Sequence, residues 1–475
     1  MGTISSAFTI MSGALDADQA ALSIVANNVA NANTPGYTQK IPNWQQNAPI
    51  DINGVSLGDG VSETGATSLR DSVLETRLDQ QQQLASASGA RLTALDSVQA
   101  LFTPDSGSSS STAGDIGSDI TSFFNSFSSL EADPGDDALR QQVLSSATTL
   151  AGDVSNAAAS LASQRSALDQ EASGVTSQVN SLTTAISQLN LQIQATSPDA
   201  DAGTLEDQRD QDISQLSQLI GINQVTTEKN GLSITTTSGQ LLVAGGSNFQ
   251  LTTGSVNGVT DFFLGGSDIT SGLTSGGGQL GGDLMARDQD IPNALSSLDQ
   301  LAYSVSTSVN ALNNTGTDLD GVTGTAASPL YIFNQPTAVA GSAANMSVIM
   351  TDPNQIAAAA LGAGSGDSAN ATAMANLAGS ASTTLNNQTT IDFYSSFVST
   401  LGATVSGVQA ENTAQNASVT QLQTQNNALS SVNLNDEASA MSTLQSSYQA
   451  ASQVFTMLNT IMAAALNLGD QTTVS

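Results

Sequence analysis

Apolar residues at Ile4, Phe8, Met11, Leu15, Leu22, Val25 and Val29 open the chain in alternating four- and three-residue steps, with only Asp18 interrupting the rhythm. Such spacing predicts a helix with one apolar seam, built to lie along a second helix. The helix cannot continue past Asn33-Thr34-Pro35-Gly36, because proline disfavours helical geometry at Thr34 and glycine turns readily. Near the other end, Met441, Leu444, Tyr448, Ala451, Phe455, Leu458, Met462 and Ala465 repeat the same alternation. Two seams at opposite ends of one chain predict pairing. Each helix, at about 30 residues, would be roughly 45 Å long. Burying a large apolar side chain yields about 1.5–3 kcal/mol, whereas ordering a residue costs about 1.5 kcal/mol, so the pair is expected to order fully only against further copies.

Between the seams the periodicity changes several times. Residues 42–65, with Pro42, Pro49, Gly54, Gly58, Gly60 and Trp44, read as a linker or a small β-rich turn region. A helical face follows at Leu69, Val73, Leu74, Leu78, Leu84, Leu92, Leu95, Val98 and Leu101, up to Phe102-Thr103-Pro104, and a serine- and glycine-rich loop at 105–114 is expected to be mobile. Helices are predicted over 116–130, over 138–195 as one long coiled-coil-like element, and over 205–220 with Gly221 as its C-cap. Alternation then replaces the helix period at 222–226, 232–236 and 241–244, with further β-type runs at Phe249-Gln250-Leu251 and Phe262-Phe263-Leu264, which predicts a β insertion. Helix returns over 283–313, short strands are expected at 330–333 and 346–350, and helices at 369–385, 391–432 and 435–468 complete the chain. The predicted fold is mainly α with a smaller β part. Residues 1–40 and 433–475 would form a terminal coiled-coil unit, 41–221 and 283–432 a long-helix bundle, and 222–282 an inserted β domain.

Composition narrows the chemistry. The 475 residues include no cysteine and no histidine, which removes disulfides, thiolate chemistry, Cys/His zinc sites and imidazole-dependent triads. Nine Lys/Arg against 41 Asp/Glu give a net charge of −32, which argues against nucleic acid and anionic membranes as partners. No apolar run approaches bilayer-spanning length, and no basic leader with an apolar core opens the chain; taken alone this predicts a cytoplasmic protein. Gly276-Gly277-Gly278-Gln279-Leu280-Gly281 satisfies a dinucleotide fingerprint, but Leu273-Thr274-Ser275 is not the strand such a site needs. Asp318-Leu319-Asp320-Gly321 begins like a calcium loop and lacks the distal glutamate, so an Asx turn is expected. Glu206, Asp207, Asp210 and Asp212 surround Arg209 on one helix and read as a solvated ion-pair face rather than glycosidase carboxylates.

The stretch Ala26-Asn27-Asn28-x-Ala30-Asn31-x-Asn33-Thr34-x-Gly36 with Tyr37 resembles the opening signature of bacterial flagellar axial proteins, the rod, hook and hook-associated subunits. Ser430-x-Val432-Asn433-Leu434-Asn435-Asp436-Glu437, followed by Tyr448-Gln449-Ala450-Ala451 and Leu466-Asn467-Leu468, is similar to the hook-associated subset. Three more blocks resemble the hook-associated protein 1 family: Phe123-Phe124 with Leu130 and Asp133-Pro134; Asp207-Gln208-Arg209-Asp210 with Leu216, Leu219 and Gly221; and Gly281-Gly282-Asp283-Leu284 with Arg287-Asp288. Asp212 and Gln39-Lys40 depart from its pattern.

This resemblance implies a structural subunit, not an enzyme, with no cofactor or metal, that joins hook to filament and self-assembles through its terminal helices. It implies as partners like subunits in a ring-like helical assembly, the hook protein, hook-associated protein 3 and an export chaperone on the C-terminal helix, with no nucleic acid and no membrane. It also implies export without a cleaved signal peptide through the flagellar type III channel, to an extracellular place at the hook–filament junction. The assembly interface would comprise the residues of both seams together with Asn27, Asn28, Asn31, Asn33, Thr34, Pro35, Gly36 and Tyr37, the asparagines supplying interface hydrogen bonds. A hook or distal-rod subunit, which predicts a β-dominated middle, and a surface hydrolase on a helical stalk are the alternatives.

Overall fold

The computed structural model describes residues 2–52, 55–103, 115–197, 201–256 and 258–471; the predicted loop at 105–114 lies outside them. The chain is mainly helical. Helix α1 (Gly2–Asn31) leads into two nested antiparallel hairpins, β1 (Lys40–Gln46) with β4 (Val61–Ser68) and β2 (Ile50–Ile52) with β3 (Val55–Leu57). Helices α2 (Ser72–Ala100), α3 (Ile116–Ala132), α4 (Asp137–Thr196) and α5 (Thr204–Leu219) follow. Strands β5 (Ile222–Thr226), β6 (Leu232–Thr236), β7 (Leu241–Ala244) and β8 (Ser247–Asn248) form an antiparallel meander. Strands β9 (Leu251–Val256), β10 (Val259–Leu264) and β11 (Ser267–Asp268) form a second one. The rest comprises α6 (Thr270–Thr274), α7 (Gly278–Met285), a π turn (Ala286–Asp290), α8 (Ile291–Thr315), α9 (Ala369–Asn376), α10 (Thr390–Ser430) and α11 (Leu434–Gln471).

Helix α4 is the spine. Its 60 residues, capped by Asp136 accepting from Ala138 N and Leu139 N, extend about 90 Å. The first half, Val143 to Leu168, buries its stripe in a core shared with Phe123 and Phe127 of α3, with α8 and α10, and with the irregular chain carrying Phe333 and Ile356. Phe123 stands edge-on to Phe127 and Phe333, with ring centroids 5.3 and 5.5 Å apart. The second half, from Ala172 to Ile186, shares another core with α5, α7 and the strands through Ile213, Ile234, Phe262 and Leu284. The meanders therefore bury their apolar face against α4 itself.

Small and polar contacts replace large side chains where periodicity is weakest. On α2 the buried residues include Gln83, Ala85, Ser88 and Ala94, while Val73 and Leu84 of the expected face are exposed. Helix α7 packs on α2 at Gly282, where an added Cβ would lie 2.2 Å from Ala87 O. Asn412 of α10 donates to Ala85 O and Ser88 Oγ on α2, both at 3.1 Å. The glycines of 276–281 serve the same purpose: a Cβ at Gly278 would meet Ile220 N at 2.5 Å, so polypeptide fills the space a nucleotide would need. Gly221 is not a C-cap. Its Cβ would strike Gly276 O at 1.7 Å, and close approach of two chain segments explains the glycine.

The strands expected at 330–333 and 346–350 do not form; a single bridge joins Phe333 to Val348. Side chains of α8 satisfy this irregular backbone instead. Asn310 Oδ1 accepts from Ile332 N and Phe333 N, and its amide donates to Phe333 O at 2.9 Å. Asn313 donates to Leu330 O and accepts from Ala357 N, and Asp299 accepts from Gly341 N and Ala343 N. The helix expected over 369–385 stops at Asn376, followed by two 3₁₀ turns and left-handed Asn386 and Asn387. Asp318 makes an Asx turn, its Oδ1 accepting from Asp320 N and Val322 N.

Candidate functional site

The corner where α1 turns into β1 gathers polar groups from four parts of the chain. Helix α1 ends at Asn31; Thr34 N donates to Asn31 O at 2.8 Å and Tyr37 N to Thr34 O at 3.2 Å. Gly36 sits at φ +78°, a conformation that side-chain-bearing residues rarely adopt. Asn28 is 1% exposed and uses both ends of its amide. Its Nδ2 donates to Lys40 O at 2.8 Å and to Glu437 Oε1 at 3.1 Å. Its Oδ1 accepts from Tyr37 OH at 2.9 Å and from Lys40 N at 3.0 Å. Glu437, in the first turn of α11, also accepts from Gln39 Nε2 at 2.7 Å, while Gln39 N donates to Ser430 O. Burial, then Asp207 and Glu437 nearby, pushes the Tyr37 hydroxyl up to about 12, so it remains a donor.

Beside this knot lies an ion cluster that corrects the expected solvated face on α5. Asp207 accepts from Thr38 Oγ1 at 2.5 Å, Arg70 Nη2 at 2.6 Å and Lys40 Nζ at 2.8 Å. Arg70 also reaches Asp210 at 2.5 Å and Glu206 at 3.3 Å. Glu206, Asp207 and Arg209 are all under 10% exposed. Arg209 turns from these acids to Asn190 Oδ1 and Asn230 O, and its burial lowers its pKa. The acids on α5 thus bind cations that arrive from β1 and from the β4–α2 connection. Cations are used internally elsewhere too: Arg91 pairs with Asp290, Arg287 with Asp169 and Asp288, and Arg140 donates to Ile356 O. With Lys40, Arg70 and Arg209, six of the nine Lys/Arg serve such contacts.

The two terminal helices lie side by side. Ala21, Val25 and Leu444 form a small buried cluster with Leu22, Ala440 and Met441 around it, and the rings of Phe8 and Phe455 meet at 4.4 Å between centroids. Met11, Leu15, Tyr37, Ala451 and Leu458 are half-buried. Asn27 accepts from Asn31 Nδ2 at 2.7 Å and Thr34 Oγ1 donates to Asn31 Oδ1, so these two asparagines bond locally, at the helix end. Asn33, Pro35, Val29, Tyr448, Met462 and Ala465 are exposed, and the Ile4 side chain lies outside the described residues. The heptad reading overlooked a second stripe on α11 at Val454, Met457 and Ile461, exposed by 40%, 60% and 52%, although its three–four spacing is visible in the sequence. It also overlooked Arg70, which carries no local signal, and the bond from Asn28 to Glu437, although Glu437 closes the C-terminal motif.

A family described as "Flagellar hook-associated protein FlgK helical domain" matches residues 106–327, and one described as "Flagella basal body rod protein" matches residues 9–38. The chain is similar to the hook-associated protein 1 family of the bacterial flagellum. Flagellar hook-associated protein 1 of Escherichia coli is 25% identical, with 96% of this chain and 98% of that protein aligned, and the Bacillus subtilis protein is 26% identical with 96% of each. The Salmonella typhimurium protein is 28% identical over 66% of this chain, which spans 57% of that relative's length. The solved flagellar hook junction protein FlgK from Burkholderia pseudomallei shares the fold, with a TM-score of 0.64, 19% identity, and coverage of 74% of this chain and 99% of that one.

Proposed function

We propose that the chain is a structural subunit joining the flagellar hook to the filament, without catalytic activity, that assembles through α1 and α11. The observation that carries this reading is the pairing of the two chain ends with an apolar stripe left over. Val454, Met457 and Ile461 face away from a seam that already holds Phe8 against Phe455, and monomeric proteins rarely leave such a row uncovered. Residues 1–40 and 433–475 act as the assembly unit, 41–221 and 283–432 as a long-helix bundle, and 222–282 as an outer β insertion. Neighbouring copies cover the seam residues and the second stripe; the hook protein lies below, hook-associated protein 3 above, and an export chaperone shields α11 before the chain leaves the cell without a cleaved signal. The 60-residue α4 counts against a hook or rod subunit with a β-dominated middle. Deleting the coding sequence in the source organism tests the proposal by electron microscopy of the cells. Hooks without filaments are expected, and normal filaments would overturn it.

A further inference from the structure

Methionine supplies all the sulfur of this chain, which has no cysteine. Among the described residues, Met346, Met350 and Met374 are buried, and Met11, Met285 and Met441 are half-buried. Of the described methionines only Met457 and Met462 are exposed, by 60% and 37%, and both lie on α11. Met462 continues the seam spacing, whereas Met457 stands in the middle of the second stripe, three residues after Val454 and four before Ile461. Residues three and four apart share a helix face, so aliphatic side chains flank this thioether. With no thiol to compete, an exposed thioether is the first group that a peroxide oxidises.

We propose that Met457 is an oxidation site through which peroxide controls the joining of one copy to the next. The step is an oxygen transfer. The Met457 sulfur attacks one oxygen of hydrogen peroxide, an S–O bond forms as the O–O bond breaks, and the departing hydroxide takes the proton from the transferred oxygen and leaves as water. Sulfur gives up two electrons and the peroxide accepts them. The sulfoxide product places a strong hydrogen-bond acceptor in an apolar row. Val454 and Ile461 offer it no donor, and no lysine or arginine stands between Glu437 and Asp470. A neighbour that covers the row would bury that oxygen unsatisfied. The proposal rests on the reading that neighbouring copies cover this stripe. On that reading assembly also shields Met457, so the modification is confined to free chains.

Graded hydrogen peroxide on the full chain, followed by peptide mass spectrometry, tests the chemistry. Met457 should gain one oxygen at least about tenfold faster than the buried Met346, Met350 and Met374. Equal rates overturn the proposal. The consequence is tested in a strain of the source organism that lacks the gene, with each variant induced and filaments counted by electron microscopy. Met457→Leu keeps the row apolar and should restore filaments, while Met457→Gln, which puts an amide where the sulfoxide would stand, should leave hooks bare. In sublethal peroxide, cells with the unaltered chain should grow filaments several-fold less often than Met457→Leu cells, a comparison that holds even where the glutamine variant fails to fold. Equal counts in peroxide overturn the proposal, as do normal filaments on folded Met457→Gln chains, and both leave the joining function standing. Normal filaments in the strain without the gene would instead overturn that function.

Discussion

Replacing Asn28 with alanine removes four hydrogen bonds at one buried point. Three are to neutral groups, Lys40 O, Lys40 N and Tyr37 OH, and one is to the Glu437 carboxylate. At about 1 kcal/mol for each neutral bond and about 2 for the charged one, the simple sum is near 5 kcal/mol. Tyr37 is only half-buried and can turn to water, so about 3–5 kcal/mol is expected. The terminal helices hold a core separate from the cores on α4, so the loss should appear as local opening of the corner. Hydrogen exchange read by mass spectrometry should show protection across residues 28–40 falling by about 10²-fold to a few thousandfold, with amides of α4 unchanged. Glu437→Gln keeps an acceptor for Asn28 and Gln39 and should open the corner far less. If Asn28→Ala changes protection there by less than about threefold, the four-bond account of the corner is wrong.

Asp207→Asn leaves Lys40 and Arg70 without their shared carboxylate and should lower stability by about 3 kcal/mol in denaturant unfolding. Burial holds the Asp79 carboxyl at about 7, up from 3.8, and Glu75 at about 7. The folded chain therefore keeps protons that the unfolded chain releases, and these groups lose stability as pH rises from about 4 to about 7. Asp79→Asn should flatten that decline in melting temperatures measured across the range, and an unchanged slope would contradict the assignment. Gly282→Ala forces α7 off Ala87 and should cost about 3 kcal/mol or more by chemical unfolding, whereas the open position Gly152→Ala should not destabilise.

What the sequence made legible depended on the length over which a period persisted. Helix α4 repeats Val143, Leu150, Val154, Leu161 and Leu168 long enough that its ends fall within a residue or so of expectation. The terminal pairing was legible for the same reason, and so was the meander at β5–β7. The polar corner was hidden because its decisive partners are remote: Asn28 and Glu437 are 409 residues apart, and Thr38 and Asp207 are 169 apart. Arg209 misled by standing among acids on its own helix while reaching Asn190 on another. The asparagines of α8 carry no periodic signal, and only the folded chain reveals that they replace a sheet partner for 330–357.

Drawing six of nine cations into internal contacts alters how one molecule meets another. Outwardly the chain behaves as a polyanion, as its net charge of −32 implies, with few cations left to offer a neighbour's acids. In about 0.1 M salt this repulsion reaches only some 10 Å beyond the surface, whereas in dilute buffer it extends about threefold farther. Free copies are therefore kept dispersed at a distance and attracted only at contact, where apolar surface takes over. Ionic strength, through nothing more specific than the thickness of the counterion cloud, sets how often two of these molecules come near enough to stick.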